Sequence, residues 1–172
     1  MAQGAVQKIE ISELNPDRFP VLDLIRPSLV LRKTEDSLIQ VQDPLRKKWL
    51  VLSPEEWVRQ HVAHWLLYHT GYPSTLLSLE RGVKGRQAGR SDVLGFDRNA
   101  SPLLLVECKS AEVEISSETA LQAMNYNSIL RARFIWLSNG RNHKVLELDA
   151  SGILKQEHSI LPLFEEMLMA VS

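Results

Sequence analysis

Apolar positions along this chain recur with two spacings, one suited to short strands and one to helices. The pieces Leu29-Val30-Leu31, Ser37-Leu38-Ile39-Gln40-Val41 and Trp49-Leu50-Val51-Leu52, with a turn at Asp43-Pro44-Leu45-Arg46-Lys47-Lys48, predict a small antiparallel meander. Residues 1–28 are mixed, and Pro16, Pro20 and Pro27 interrupt short apolar pieces such as Phe19, Val21, Leu22 and Leu24. They predict an arm laid on a body formed by residues 29–172. Ser53-Pro54-Glu55-Glu56 then opens a helix, with Ser53 as N-cap, Pro54 at the first helical position and Glu56 placed for a capping box. The helix is expected to run to about His69. Steps of about 100° per residue put Val58, Val62, Trp65 and Leu66 on one stripe. Glu55 falls inside that stripe and Glu56 off its edge, so Glu55 is expected to point inward.

Period-two and fully apolar runs follow. Leu76–Glu80 is expected as a strand and Arg81–Arg90 as a glycine-rich basic loop. A strand holding Asp92 runs to Phe96, residues 97–101 turn, and Leu103-Leu104-Leu105-Val106-Glu107-Cys108-Lys109 returns as the second arm of a hairpin. Residues 117 to about 131 predict a helix burying Ala120, Ala123, Met124 and Ile129, with Gln122 and Tyr126 one turn apart on a common face. Phe134–Ser138 reads as a buried strand and Lys144–Leu148 as its neighbour. A last helix should place Ile160, Leu163, Phe164, Met167, Leu168 and Val171 on one packed face.

Composition narrows the function classes. With 172 residues, 44% of them hydrophobic, the chain fits one domain with a substantial core. Twenty Lys and Arg against 21 Asp and Glu give a formal charge of −1, so any polyanion must be held by a local patch. One cysteine makes neither an internal disulfide nor a thiolate cage. With no signal peptide or membrane-length apolar run visible, a cytoplasmic protein is expected.

The candidate chemistry lies where acids end apolar strands. An unpaired buried charge costs roughly several kcal/mol, so such groups pair, bind a cation or do chemistry. Strand alternation puts Glu107 and Lys109 on one side and Val106 and Cys108 on the other, and the hairpin brings Asp92 beside Glu107. Two adjoining carboxylates repel unless a proton or cation intervenes. Hard oxygen ligands point to Mg²⁺ or Mn²⁺, held by Asp92, Glu107 and the Cys108 backbone carbonyl, with Glu55 reaching the ion through water. Lys109 would stabilise developing negative charge, Gln122 would orient a water or phosphate with Tyr126 beside it, and Lys84, Arg86 and Arg90 would grip a phosphate backbone. This combination describes metal-dependent phosphodiester hydrolysis.

The ordered strings Ser53–Gln60, Arg90-Ser91-Asp92, Leu103–Lys109, Gln122-Ala123-Met124-Asn125-Tyr126 and Leu137–Gly140 together resemble the PD-(D/E)XK nuclease superfamily. More narrowly, they are similar to the N-terminal domain of type I restriction enzyme R subunits over roughly residues 43–148. The resemblance implies an α/β, restriction-endonuclease-like fold with a mixed central sheet flanked by helices. It also implies metal binding by Asp92 and Glu107, a catalytic Lys109, a helix acid at Glu55, and a glutamine element at Gln122 with Tyr126. DNA is the implied substrate, with separate motor or specificity subunits as further partners; one active site per domain means that a double-strand cut needs a homodimer or two successive nicks. Ser91 stands where the usual motif has proline. The 172 residues contain no Gly-x-x-x-x-Gly-Lys-Ser/Thr phosphate loop, so action without its own motor is expected.

Simpler readings stand beside these. Glu107 and Lys109 form a salt bridge in one, and Asp92 pairs with Arg90 or Lys109. Glu55 serves the helix dipole or an i,i+4 pair with Arg59. Gln122 and Tyr126 make a packed polar contact, the basic loop is solvated, and His61, His64 and Cys108 are structural. At the level of the whole protein, the alternative to an endonuclease is a non-catalytic nucleic-acid-binding or assembly module.

Overall fold

The computed structural model describes residues 7–82 and 90–171. It is a mixed α/β structure with two sheets and three helices, as the hydrophobic pattern predicts. The first sheet has four antiparallel strands, β1 (Gln7–Ile9), β2 (Leu31–Lys33), β3 (Ile39–Gln42) and β4 (Trp49–Val51). The meander is therefore present, extended by a strand from the N-terminal arm. That strand escaped prediction because three residues held by backbone bonds carry almost no side-chain pattern. The arm packs through Leu14, Phe19, Leu22 and Leu24. The Asp23 N–H donates to the Gly140 carbonyl at 2.7 Å. Gly140 has φ +81°, and a Cβ there would come within 2.7 Å of Leu22, so this close approach requires glycine.

Helix α1 (Pro54–Tyr68) follows β4, with the Ser53 hydroxyl accepting from the Glu56 N–H at 3.0 Å. The second sheet has the order β10-β9-β8-β7-β6-β5. Its strands are β5 (Leu77–Gly82), β6 (Arg90–Phe96), β7 (Pro102–Cys108), β8 (Phe134–Ser138), β9 (His143–Leu148) and β10 (Leu154–His158). Only β7 and β8 pair in parallel, joined by the crossover helix α2 (Ser117–Leu130); α3 (Phe164–Val171) comes last. Arg81 and Gly82 belong to β5 and Arg90 to β6, so the strands reach further into the basic segment than the glycines suggest.

This six-stranded sheet is covered on both faces. Val106, Cys108 and Trp136 pack in one cluster with Val58, Val62 and Leu66 of α1. Leu105, Ile135 and Leu137 pack in another with Ala120 and Ala123 of α2. Fully apolar runs such as β8 are what two covered faces require.

Three expectations about burial need correction. Glu56 is buried at 6% exposure while Glu55 is exposed, the reverse of the single-stripe reading. The cause is a second covered face on α1: Trp57 Nε1 donates to the Pro20 carbonyl at 2.9 Å and Gln60 Nε2 to Asp43 Oδ2 at 3.0 Å. Ile129 is exposed because α2 buries only the narrow line through Ala120, Ala123 and Asn127. Ile160 and Leu163 are exposed and precede α3, whose buried contacts are Phe164 and Met167. No described helix is long and apolar enough to cross a membrane.

Candidate active site

The hairpin brings the strand-end acids together. The two strands pair as far as Val93 opposite Val106; Asp92 and Glu107 are the next residue on each, and the Asp92 charge is felt at Glu107. Asp92 Oδ2 accepts the Cys108 N–H at 2.6 Å, which ties the β6 acid directly to the β7 backbone. Lys109 Nζ lies 3.0 Å from Glu107 Oε1, so the two share a side as strand alternation predicts. Cys108 is fully enclosed, and burial pushes its thiol well up, as suits an inert packed side chain.

Burial, and then the Asp92 charge, push the Glu107 carboxyl above its usual range against the opposing pull of Lys109. Burial pulls the Lys109 amine down, but its hydrogen bond to Glu107 and the nearby acids outweigh this and leave it raised. It is therefore an ammonium at neutral pH, a hydrogen-bond donor rather than a base.

Glu55 stands at the rim. Its side chain is about half exposed and its Oε1 lies 3.2 Å from Arg59 Nη2, while its charge is felt at both Glu107 and Lys109. The i,i+4 pair with Arg59 and proximity to the acids thus coexist. Gln122 is exposed on α2 and its amide reaches Glu118 Oε1 at 3.4 Å, while Tyr126 is half-buried against the Leu105 cluster. Strand alternation puts Glu107 on the Leu105 side, the face that α2 covers. Lys84 and Arg86 lie outside the described residues. Arg90 opens β6, so its backbone leads directly to Asp92.

Two residues of the site were not foreseen. Arg59 is buried and directs Nε to Asp92 Oδ1 at 3.0 Å, with Nη2 2.7 Å from the same oxygen. Glu56, assigned from sequence to a capping box, instead accepts from Arg59 Nη1 at 2.5 Å and from Gln60 Nε2 at 2.8 Å. A signal was present: the Arg59-Gln60-His61 run sits among apolar residues on every side. His61 is a core residue, with Nδ1 donating to the Trp57 carbonyl at 2.8 Å, and burial lowers its pKa to about 4. His64 likewise donates to the Gln60 carbonyl at 2.7 Å.

The donor set suits a hard divalent cation. Asp92 and Glu107 supply carboxylate oxygens close enough for the charge of one to act on the other, adding to burial in raising Glu107. Among the described residues no group of three or more histidine, cysteine, aspartate or glutamate side chains is placed to hold a metal ion, so these two carboxylates alone would have to anchor one. Such an ion would complete its shell with a backbone carbonyl, water or phosphate, which is how Mg²⁺ is usually held.

Residues 54–162, from the start of α1 to just before α3, match the protein family described as type I restriction enzyme R protein N terminus. Among curated proteins the chain finds no match.

Proposed function

The chain belongs to the family of type I restriction enzyme R protein N termini, and from that premise we propose that it is a Mg²⁺- or Mn²⁺-dependent DNA endonuclease. Family membership supports a restriction-related nuclease role and is consistent with the PD-(D/E)XK superfamily. One observation supports this reading most: Asp92 and Glu107, at the ends of neighbouring strands, lie close enough for the charge of one to act on the other, with a cationic Lys109 held 3.0 Å from Glu107. Asp92, Glu107 and the Cys108 carbonyl would hold the ion, with Glu55 contacting it through water. When bound, the cation supplies Lewis-acid stabilisation of charge on the phosphoryl group.

The remaining work falls to side chains. In hydrolysis a water oxygen bonds to phosphorus, the bond from phosphorus to one sugar oxygen breaks, and that oxygen leaves with a proton. Lys109, kept protonated by Glu107, donates a hydrogen bond to oxygen bearing developing negative charge. Lys84, Arg86 and Arg90 precede Asp92 in the chain and would hold the DNA backbone against it. Gln122 and Tyr126 would meet substrate from α2. The protein would act on DNA in the cytoplasm alongside motor or specificity subunits. One site cuts one strand, so a double-strand break takes two copies or two successive nicks.

A non-catalytic DNA-binding or assembly module is the second reading, favoured by one fact: Asp92 already has a cationic partner in Arg59. Incubating plasmid and single-stranded DNA with Mg²⁺ or Mn²⁺ separates the two. We expect the wild type to cleave and Asp92→Ala and Lys109→Ala to lose cleavage. Cleavage persisting in both variants would remove the site, and DNA binding without cleavage by the wild type would favour the module.

A further inference from the structure

We propose that Arg59 is a positioning residue for this site, seating the Asp92 carboxylate through a buried polar chain that begins at the β3–β4 turn. This rests on the nuclease reading above and adds a residue to it. Both Asp92 oxygens are held, Oδ1 by the Arg59 fork and Oδ2 by the Cys108 N–H. Those partners belong to α1 and β7, so together they fix the plane of the carboxylate relative to the strand that carries Glu107. Arg59 is itself held: Nη1 donates to Glu56 Oε2 at 2.5 Å and Nη2 to Glu55 Oε1 at 3.2 Å. Glu56 Oε1 accepts from Gln60 Nε2, whose other contact is Asp43 Oδ2 at 3.0 Å. Asp43, completely buried, accepts the Leu45 and Arg46 N–H groups at 2.9 and 2.7 Å and so is locked by its own turn.

Asp43, Glu56, Arg59, Gln60 and Asp92 are all buried. Charges removed from water in this number are a poor way to stabilise a fold, since apolar residues of similar volume serve as well or better. Their use makes sense where a particular carboxylate must be oriented before its ligand arrives. Guanidinium chemistry is needed because a planar fork can engage Asp92 and Glu56 at once, whereas a lysine offers a single point charge.

The test uses the full chain with plasmid DNA and Mn²⁺, reading kcat, KM for DNA and Mn²⁺ affinity by electron paramagnetic resonance of the free ion. Arg59→Gln is expected to lower kcat about a hundredfold through displacement of Asp92, with KM within about threefold of wild type. Mn²⁺ affinity should fall roughly tenfold, a readout that needs no turnover. Arg59→Lys should recover part of both losses. Glu56→Gln, which keeps side-chain size and removes the charge that seats Arg59, should lower kcat several-fold and serves if Arg59→Gln does not fold. A folded Arg59→Gln, or in its place Glu56→Gln, with wild-type kcat and Mn²⁺ affinity would overturn the positioning role while leaving the nuclease reading intact. A wild type that neither cuts DNA nor binds Mn²⁺ would end both.

Discussion

Glu107 on β7 and Glu147 on β9 are acids of the same sheet in opposite electrostatic situations. Glu147 is buried at 3% exposure and satisfied: Lys155 Nζ lies 2.6 Å from Oε1 and His158 Nε2 2.7 Å from Oε2. Burial alone would raise its pKa, yet the Lys155 and His158 hydrogen bonds and charges outweigh it and the group is lowered. Glu107 keeps more side-chain surface than Glu147, yet burial, and then the charge of Asp92, raise its pKa against the pull of Lys109, its close cation. What separates the two is their partners: Lys155 and His158 both reach Glu147, whereas Glu107 has Lys109 close by and feels the like charge of Asp92.

The widest separation should appear in cleavage. Lys109→Ala is expected to slow plasmid nicking on the order of a thousandfold, the loss typical of removing a donor to developing negative charge. Glu147→Gln should nick at the wild-type rate per folded molecule. Equal losses in the two variants would erase the distinction.

Divalent ions should divide them next. At about a hundredfold over its dissociation constant, Mg²⁺ or Mn²⁺ should stabilise the wild type by about 2.7 kcal/mol and shift its melting midpoint upward. That shift should shrink sharply in Glu107→Gln and persist in Glu147→Gln, as differential scanning calorimetry would show. Removing the satisfied acid should cost stability instead. Glu147→Ala is expected to lose about 2 kcal/mol in urea unfolding at neutral pH, the value of hydrogen bonds between charged groups. An unchanged midpoint would mean that the pair with Lys155 and His158 is too well solvated to matter.

Much of this contrast was legible before any coordinates. Strands β6, β7 and β8 announce themselves as apolar runs bounded by turn residues, and their hairpin and crossover put Asp92, Glu107 and Lys109 together on pattern alone. Other parts have no such signature. Strand β10, Leu-Lys-Gln-Glu-His, is mostly polar and exposed and is held by backbone pairing to β9, so its contribution to Glu147 is invisible in periodicity. The inward acid of α1 was misassigned because one stripe was assumed for a helix covered on two faces. Arg59 shows the deeper reason: its partner Asp92 is 33 residues away, and pairing at that distance is set by tertiary packing.

The smallest expected effect carries the most specific sign. Raising the folded pKa of Glu107 means that the folded chain binds more protons than the unfolded one between its ordinary value, 4.5, and the raised value. Stability contributed by this group is present at lower pH and is lost as pH rises through that window. Glu147 behaves in reverse: its lowered pKa contributes stability above 4.5, lost as pH falls through the folded value. At neutral pH and without divalent ions, Glu107→Gln should therefore unfold at a slightly higher temperature than wild type, because a crowded negative charge is gone and the amide still reaches Lys109. Lowering the pH towards 4.5 should close that gap, since the wild-type carboxyl then takes up its proton. Glu147→Gln should start below the wild type at pH 7, keep that gap down to about 4.5, and approach the wild type only as the pH falls further towards the lowered folded value. Melting curves should therefore bring Glu107→Gln to the wild type by about pH 4.5 and Glu147→Gln only below it; a Glu107→Gln curve that keeps its distance from the wild type down to pH 4.5 would show that Glu107 is already as well compensated as Glu147.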